Sequence, residues 1–469
     1  MKRKLFIRAD GNTDIGLGHL IRCSALAEML LSDFEISFYC IHIPEQISND
    51  FTSKGFKVKC IDNNDDFIKI LTGDETVVLD HYGLNTEFQK RIKSQGNKLV
   101  CIDDVFDKEF YADLIINHAP NITKAMYQAQ PYTKFALGLD YVLLRTPFIE
   151  AAKKAKLPKK ENSVFICFGG SDVNNLTEKT VSIVLNDSRF NEINVVVGSS
   201  YSHKTSLELL SKAHRNVKIH EALDADEMIS LMKMTQLAIL PCSGILLEAL
   251  ALKLTVIAGT YVDNQSILYD GAKKADLIID TKHFSENDLK KAINKFFQTK
   301  TQQKEVTIDG LSGKRFKAVF FKYSVSLRPA NEKDMLLLFD WANDPDVRKN
   351  AFNSEKIELE NHKKWYSNKI KDANTKILIL EKDELPLGQI RFDKTDDNWT
   401  IDYSIDAKYR GLGLGGRIIE LGIEHLKEDV KAIVKVDNIG SCKVFENLGF
   451  TNTNEGNINV YQKKWKRRS

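Results

Sequence analysis

Arg8-Ala9-Asp10-Gly11-Asn12-Thr13-Asp14-Ile15-Gly16-Leu17-Gly18-His19-Leu20-Ile21-Arg22-Cys23 decides how the first part of the chain folds. The apolar run Leu5-Phe6-Ile7 enters it, and a helical pattern of Leu20, Ile21, Ala25, Leu26, Met29 and Leu30 leaves it. That order predicts strand, glycine-rich turn, helix. Gly16 and Gly18 are expected to reach backbone conformations closed to other residues and to let a ligand approach closely. His19 falls in the first helical turn, beside unpaired N–H groups and the positive end of the helix dipole. That position disfavours imidazolium, so a neutral His19 able to accept a proton is expected. The same N–H groups attract an anion such as a diphosphate. A base and an anion site thus fall within one turn. A tight strand–helix turn with an incidental His has the same spacing.

Outward from this turn, short runs rich in Val and Ile recur at 4–9, 36–41, 57–61, 76–80, 98–102 and 113–117. A second series recurs at 163–168, 193–197, 216–219, 236–240, 254–258 and 276–280. Strands alternating with helix-length segments indicate parallel sheets covered on both faces, which bind ligands at the carboxyl ends of their strands. Asp80-His81-Tyr82-Gly83 and Ile102-Asp103-Asp104 stand at two such ends. The expected architecture is α/β: two Rossmann-like domains, 1–150 and 160–300, separated by a cleft. The bridge containing Lys153, Lys154, Lys156, Pro158, Lys159 and Lys160 marks their boundary. Polar residues 299–315 read as a linker into a third unit, 324–469, whose mixed order of strands and helices is α+β.

The length of 469 residues suits about three domains. A net charge of +3 gives no reason to expect nucleic acid or an acidic membrane as partner, and the basic tail Lys463, Lys464, Lys466, Arg467, Arg468 reads as solvated. The seven Cys are scattered singly, without a CxxC pair or a His cluster at ligand spacing. Cys23, Cys40, Cys60, Cys101 and Cys167 lie in apolar stretches and read as small buried hydrophobes in a reducing compartment, and no metal is expected. The basic start is followed by an apolar run too short for a signal peptide. No segment approaches about 20 apolar residues, so a cytoplasmic protein is expected.

Three further stretches carry chemistry in the second series. Phe168-Gly169-Gly170-Ser171-Asp172 closes its first strand and offers N–H groups for an anion, although a plain turn reads the same way. Pro241-Cys242-Ser243-Gly244 follows a strand and opens a helix, adding N–H donors and a hydroxyl. Glu248, one helical turn past Gly244, is positioned to accept hydrogen bonds from ribose hydroxyls; a solvated helix Glu is the alternative. Asn264 and Gln265 follow the next strand, where their amides can meet a sugar or phosphate.

The ordered set GxGHxxRC, DxYG, IDD, Gly138-Leu139-Asp140-Tyr141 with Leu144-Arg145, FGGSD, CSGxxxE and Asn264-Gln265 resembles the UDP-2,4-diacetamido-2,4,6-trideoxy-β-L-altropyranose hydrolases of pseudaminic acid synthesis, over about 300 residues. The resemblance implies the GT-B fold and hydrolysis of the sugar C1–oxygen bond with release of UDP. By position it implies that His19 is the catalytic His, that Tyr82 and Asn264 are active-site polar residues, and that Glu248 is the ribose ligand. Gly16, Gly18, Arg22, Gly169, Gly170, Ser171, Ser243, Gly244 and Gln265 are expected around the UDP-sugar. A diphosphate is already a good leaving group, so the paired carboxylates of ordinary glycosidases are unnecessary.

In the third unit Tyr409-Arg410-Gly411-Leu412-Gly413-Leu414-Gly415-Gly416 precedes a helical run at 417–426, with Asp437-Asn438-Ile439-Gly440-Ser441 and Phe445-Glu446-Asn447-Leu448-Gly449-Phe450 downstream. With Leu327-Arg328-Pro329-Ala330 and Trp341-Ala342-Asn343-Asp344-Pro345 this is similar to GNAT N-acetyltransferases that acetylate the 4-amino group of UDP-amino-sugars. The resemblance implies that Arg410, Gly411, Gly413 and Gly415 bind the pyrophosphate of acetyl-CoA and that Asn438 contacts its pantetheine arm. Phe445 stands where many GNATs have the Tyr that protonates the departing thiolate. Tyr403 is the substitute considered. The combined expectation is a bifunctional enzyme that N-acetylates a UDP-amino-sugar and hydrolyses the product. A GT-B glycosyltransferase with an appended acetyltransferase, or a non-catalytic nucleotide-sugar binding protein, are the alternatives.

Overall fold

β1 (Arg3–Ala9) is buried from Leu5 onward, as a strand covered on both faces must be. It is one of seven parallel strands with β2 (Phe34–Cys40), β3 (Lys57–Cys60), β4 (Thr76–Asp80), β5 (Lys98–Ile102), β6 (Leu114–Asn117) and β7 (Lys134–Leu137). Their order across the sheet is β3-β2-β1-β4-β5-β6-β7. The order reverses between β1 and β4, so the loops leaving those two strands flank the crevice where open α/β sheets receive ligands. The glycine turn leaves β1 and His81-Tyr82 leave β4. The computed structural model describes residues 2–12, 16–154, 159–170, 172, 174–299, 308–323, 325–382, 384–395 and 398–465. Ser171, residues 155–158 of the Lys-rich bridge, residues 300–307 of the expected linker, and Lys466, Arg467 and Arg468 of the basic tail lie outside them.

The second sheet is built the same way from β8 (Lys160–Ile166), β9 (Glu192–Val197), β10 (Val217–Glu221), β11 (Thr235–Pro241), β12 (Thr255–Gly259) and β13 (Ile279–Asp280). All pairings are parallel and the order is β10-β9-β8-β11-β12-β13. Its reversal lies between β8 and β11, the strands that lead into Gly169-Gly170 and Ser243-Gly244. α1 (Gly18–Leu30) follows the first glycine turn, and α2 (Gly244–Ala251) follows β11.

Three expectations need correction. β7 was not expected, because only Ala136 of its four residues is fully buried, which leaves no apolar run to read. The strand expected at 276–280 shrinks to Ile279–Asp280, since Asp276 has φ +56° just past a helix end and cannot be extended there. The linker expected at 299–315 is not one throughout. Ile308 is buried in the core, a helix starts at Ser312, Arg315 clasps Asp309 at 2.5 and 2.8 Å, and Phe316 packs on Tyr141.

The chain divides into two compact units, 2–317 and 318–469. The second holds a seven-stranded sheet of β14 (Ser326–Pro329), β15 (Thr375–Lys382), β16 (Leu385–Thr395), β17 (Asn398–Ile405), β18 (Val430–Lys435), β19 (Thr451–Glu455) and β20 (Ile458–Lys463), in the order β14-β15-β16-β17-β18-β20-β19. Every pairing is antiparallel except β17–β18. Those two run parallel and pair only at Trp399–Val430 and Thr400–Lys431. Beyond that point they part, and a wedge opens in the sheet. α3 (Leu414–Leu426) packs on β16 and β17, with Ile418 and Ile419 fully buried. Among the described residues no helix is long and apolar enough to cross a membrane.

Candidate active sites

His19 is the second residue of α1 and only 6% exposed. Its Nδ1 lies 2.6 Å from Asp80 Oδ1 at the end of β4, so Nδ1 donates to the carboxylate and Nε2 is left as the acceptor nitrogen. Arg22, one helical turn on, donates from Nε and Nη2 to the two oxygens of Asp80, each at 2.6 Å, and from Nη1 to Asp104 Oδ2 at 2.5 Å. Burial opposes ionisation of Asp80, but Arg22 and His19 outweigh it and hold the carboxyl well below the usual carboxylate range. The environment of His19 is therefore set by a buried carboxylate as well as by the helix N-terminus that the sequence suggested.

Tyr82 closes the other side. Its ring meets the His19 imidazole edge-on at 4.6 Å, and its hydroxyl donates to Asp104 Oδ2 at 3.2 Å. Burial, with the Asp104 charge beside it, pushes the phenol far up, so it stays protonated. The turn itself is anchored by Asp10, whose Oδ1 accepts the N–H groups of Ile41 and His42 while Oδ2 accepts from the fully buried Arg8. Gly16 has φ +82° and needs to be glycine on that account. Gly18 does not: it is already helical, and a Cβ there would meet nothing within 4 Å. What Gly18 supplies is open space above the helix start.

At the reversal point of the second sheet, Gly169 has φ +91°, and Cβ atoms at Gly169, Gly170 or Gly244 would meet nothing within 4 Å. Ser243 is the N-cap residue of α2, without a side-chain cap bond. Glu248 is not a solvated helix residue: it is 8% exposed and its Oε1 accepts from Arg145 Nε at 2.8 Å. Burial raises its pKa against the pull of Arg145. Arg145 caps a helix (Thr146–Ala152) whose Phe148 and Ile149 are buried in the core with Leu246 and Leu250 of α2. Asn264 is exposed in a short turn after β12. Gln265 is buried beneath it, and its Oε1 accepts the Tyr261 N–H at 3.0 Å, so part of that amide braces the loop. His19, Arg22 and Tyr82 thus stand together, with Asp80 and Asp104 between them. Ser243, Gly244 and Glu248 form a separate group with Arg145.

In the second unit a cavity of about 1280 Å³ fills the wedge. Asp402–Ile405 of β17 line one side and Ala432–Lys435 of β18 the other, with Gly411, Gly413 and Gly415 at one end. Gly411 and Gly413 have φ +79° and +70°, and Gly413 is the N-cap residue of α3. Arg410 is held by two carboxylates and a carbonyl. Three of the five N–H groups of its guanidinium are committed, to Asp344 at 2.6 Å, Asp346 at 2.8 Å and the Ile405 carbonyl at 3.0 Å, which fixes the side chain beside the turn. Asn438 lines the cavity and caps the helix α4 (Ile439–Asn447), its Oδ1 accepting the Ser441 N–H at 3.2 Å. Tyr403 is bonded to Ser441 Oγ at 3.0 Å, and burial raises its pKa. Phe445 is buried between Tyr403, Phe450 and Tyr461 and serves packing.

Residues 324–451 match the acetyltransferase (GNAT) domain family. The second unit carries a GNAT domain. An uncharacterized protein of Methanocaldococcus jannaschii is 28% identical over 98% of this chain and 99% of its own. The UDP-2,4-diacetamido-2,4,6-trideoxy-beta-L-altropyranose hydrolase of Campylobacter jejuni is 26% identical over 56% of this chain and 93% of its own. The spore coat polysaccharide biosynthesis protein SpsG of Bacillus subtilis is 25% identical over 55% of this chain and 78% of its own. The N-terminal half thus resembles that hydrolase and SpsG, and the GNAT domain follows it in the same chain.

Proposed function

We propose that the GNAT domain transfers acetyl from acetyl-CoA to the amine of a UDP-4-amino-sugar, and that residues 2–317, as a GT-B-type pair of Rossmann-like domains, hydrolyse the product to UDP and a free diacetamido sugar. The observation that carries the hydrolytic reading is the His19–Asp80 pair. With the proton of Nδ1 committed to Asp80, Nε2 takes a proton from water while the water oxygen attacks C1 of the sugar. The C1–O bond breaks and its electron pair leaves on the UDP diphosphate. Asp80 stabilises the imidazolium that forms, and Arg22 keeps Asp80 ionised and fixed. The Tyr82 ring holds the imidazole from the side. Backbone N–H groups around Gly169–Gly170 and Ser243–Gly244 meet the growing charge on the diphosphate, and Glu248 takes the ribose hydroxyls.

For acetyl transfer, the wedge between β17 and β18 admits the thioester arm, and the glycine turn before α3 gives the diphosphate open N–H groups. Attack of the neutral amine on the thioester carbonyl forms the amide and breaks the C–S bond. The Tyr403 hydroxyl, held by Ser441, gives the departing thiolate its proton in place of the Tyr that Phe445 replaces, and the proton that the amine nitrogen loses as the amide forms returns to Tyr403. The product of the second unit is the substrate of the first, which gives the fusion a chemical reason. Pre-acetylated UDP-sugar incubated in water alone tests the reading. Release of UDP with one equivalent of free sugar is expected. Release only when an acceptor sugar is added would make the first unit a glycosyltransferase.

A further inference from the structure

Two polar groups beside His19 have no task in this chemistry. Asp104 stands two residues past β5 and His118 one past β6. These strands pair in parallel with Ile102 opposite Ile116, and the ladder continues from the Asp103 N–H to the Ile116 carbonyl at 3.0 Å. That register sets Asp104 beside His118 at the carboxyl edge of the sheet. Asp104 Oδ2 already accepts from Arg22 and Tyr82. Its Oδ1 is buried and has no hydrogen-bond partner among the described residues. A buried carboxylate oxygen without a donor is unfavourable until a ligand or water supplies one. His118 is its complement. Its Nδ1 accepts the Leu143 N–H at 3.3 Å, which keeps the ring proton on Nε2 and makes that nitrogen a donor. Burial pushes the His118 pKa down to about 4, helped by Arg22 and opposed by Asp104 and Asp80, so the ring is a neutral donor near pH 7.

We propose that Asp104 Oδ1 and His118 Nε2–H receive the acetamido group that acetyl transfer installs on the sugar, Asp104 taking the amide N–H and His118 the amide carbonyl. This rests on the reading of the first unit as a UDP-acetamido-sugar hydrolase. A secondary amide offers one donor and one acceptor, which is what the pair lacks. The unacetylated sugar's ammonium can still donate to Asp104, so the discrimination comes from His118, to which it offers no carbonyl. His118, with Asp104 orienting the amide, therefore selects the acetylated sugar and holds back the amino precursor until it has been modified.

The test is calorimetry on the full chain carrying His19→Asn, which stops turnover, with UDP, the UDP-4-amino-sugar and the UDP-diacetamido sugar as ligands, binding at the acetyltransferase site being fitted as a second site that the His118 and Asp104 variants leave unchanged. The parent is expected to bind the diacetamido sugar at least about tenfold more tightly than the amino sugar. His118→Leu should bring that preference to within twofold, and His118→Gln, which keeps an N–H donor, should restore most of it. Asp104→Asn should weaken the diacetamido sugar about tenfold while UDP affinity, which also reports folding, stays within twofold. A preference that survives both His118→Leu and Asp104→Asn overturns the assignment of the pair alone. A parent that binds neither sugar nucleotide more tightly than UDP overturns the hydrolase reading, and the proposal falls with it.

Discussion

Asp80 Oδ1 and His19 Nδ1 are 2.6 Å apart in the interior, and the bond between them decides which imidazole nitrogen is left to act. Neither residue does this alone. α1 places His19, the end of β4 places Asp80, and Arg22 from the next helical turn fixes the carboxylate.

His19→Asn is accordingly expected to abolish UDP release while leaving UDP affinity within about twofold, since no proton acceptor remains at Nε2. Asp80→Asn should lower turnover by about 10²-fold or more, the usual contribution of a correctly oriented general base. Steady-state UDP release and calorimetry on the same preparations check both. Near-normal turnover in His19→Asn would move water activation elsewhere, with Tyr82 the next group to test.

Asp103 gives a stability prediction with a definite sign. It is 6% exposed, and burial, reinforced by the charge of Asp104, raises its pKa from 3.8 to about 6 against the N–H bonds from Phe106 and Val105. The folded state thus holds its proton more tightly than the unfolded chain does. The stability this brings is complete below about pH 3.8 and is lost as pH rises through 6. Asp103→Asn never ionises, so it should be more stable than the parent at pH 7, on the order of 1–3 kcal/mol, and indistinguishable near pH 3.5. Urea unfolding at the two pH values measures it. Equal stability at pH 7 would mean that Asp103 is ionised without penalty.

What sequence could show is the set of strand ends. The glycine turns after β1 and β8, Asp80-His81-Tyr82 and Ser243-Gly244 each sit on a local strand-to-loop pattern, and all four are found at the two points where strand order reverses. What it could not show is which ends meet. Asp80 is 61 residues from His19 and Arg145 is 103 from Glu248, and only the parallel register of distant strands or a crossing helix joins them. His118 gave no signal because a single His after an apolar strand looks like any other. The wedge between β17 and β18 is equally invisible, because the length over which two strands pair is a property of the sheet rather than of either segment.

Glu248→Ala should act on two quantities at once. Its carboxylate is buried against Arg145, which is itself 28% exposed, so removing it leaves a half-buried guanidinium unpaired. A stability loss of about 1–2 kcal/mol is expected, less than for a fully buried pair because water still reaches Arg145. UDP affinity should fall by about 1–3 kcal/mol if the free oxygen holds the ribose. Thermal unfolding with and without UDP separates the two effects. A lowered melting temperature with unchanged UDP affinity would reduce Glu248 to the ion-pair partner of Arg145.

Gly413 tests whether the two proposed activities are independent. It caps α3 with φ +70°, a conformation that any L side chain enters only with strain, and a Cβ there would collide with the Lys322 side chain. Gly413→Ala should therefore slow acetyl transfer through strain and displacement of Lys322. Gly413→Trp should stop it, because the indole fills the space above the turn where the proposed function seats the diphosphate. The GNAT domain has its own sheet and core, so neither change is expected to alter the fold around His19. The full-length Gly413→Trp protein should hydrolyse pre-acetylated UDP-sugar at the parental rate while failing to acetylate the amino sugar, with both products followed by mass spectrometry. Loss of hydrolysis in a variant whose circular dichroism matches the parent would mean that the two proposed sites do not work as separate units.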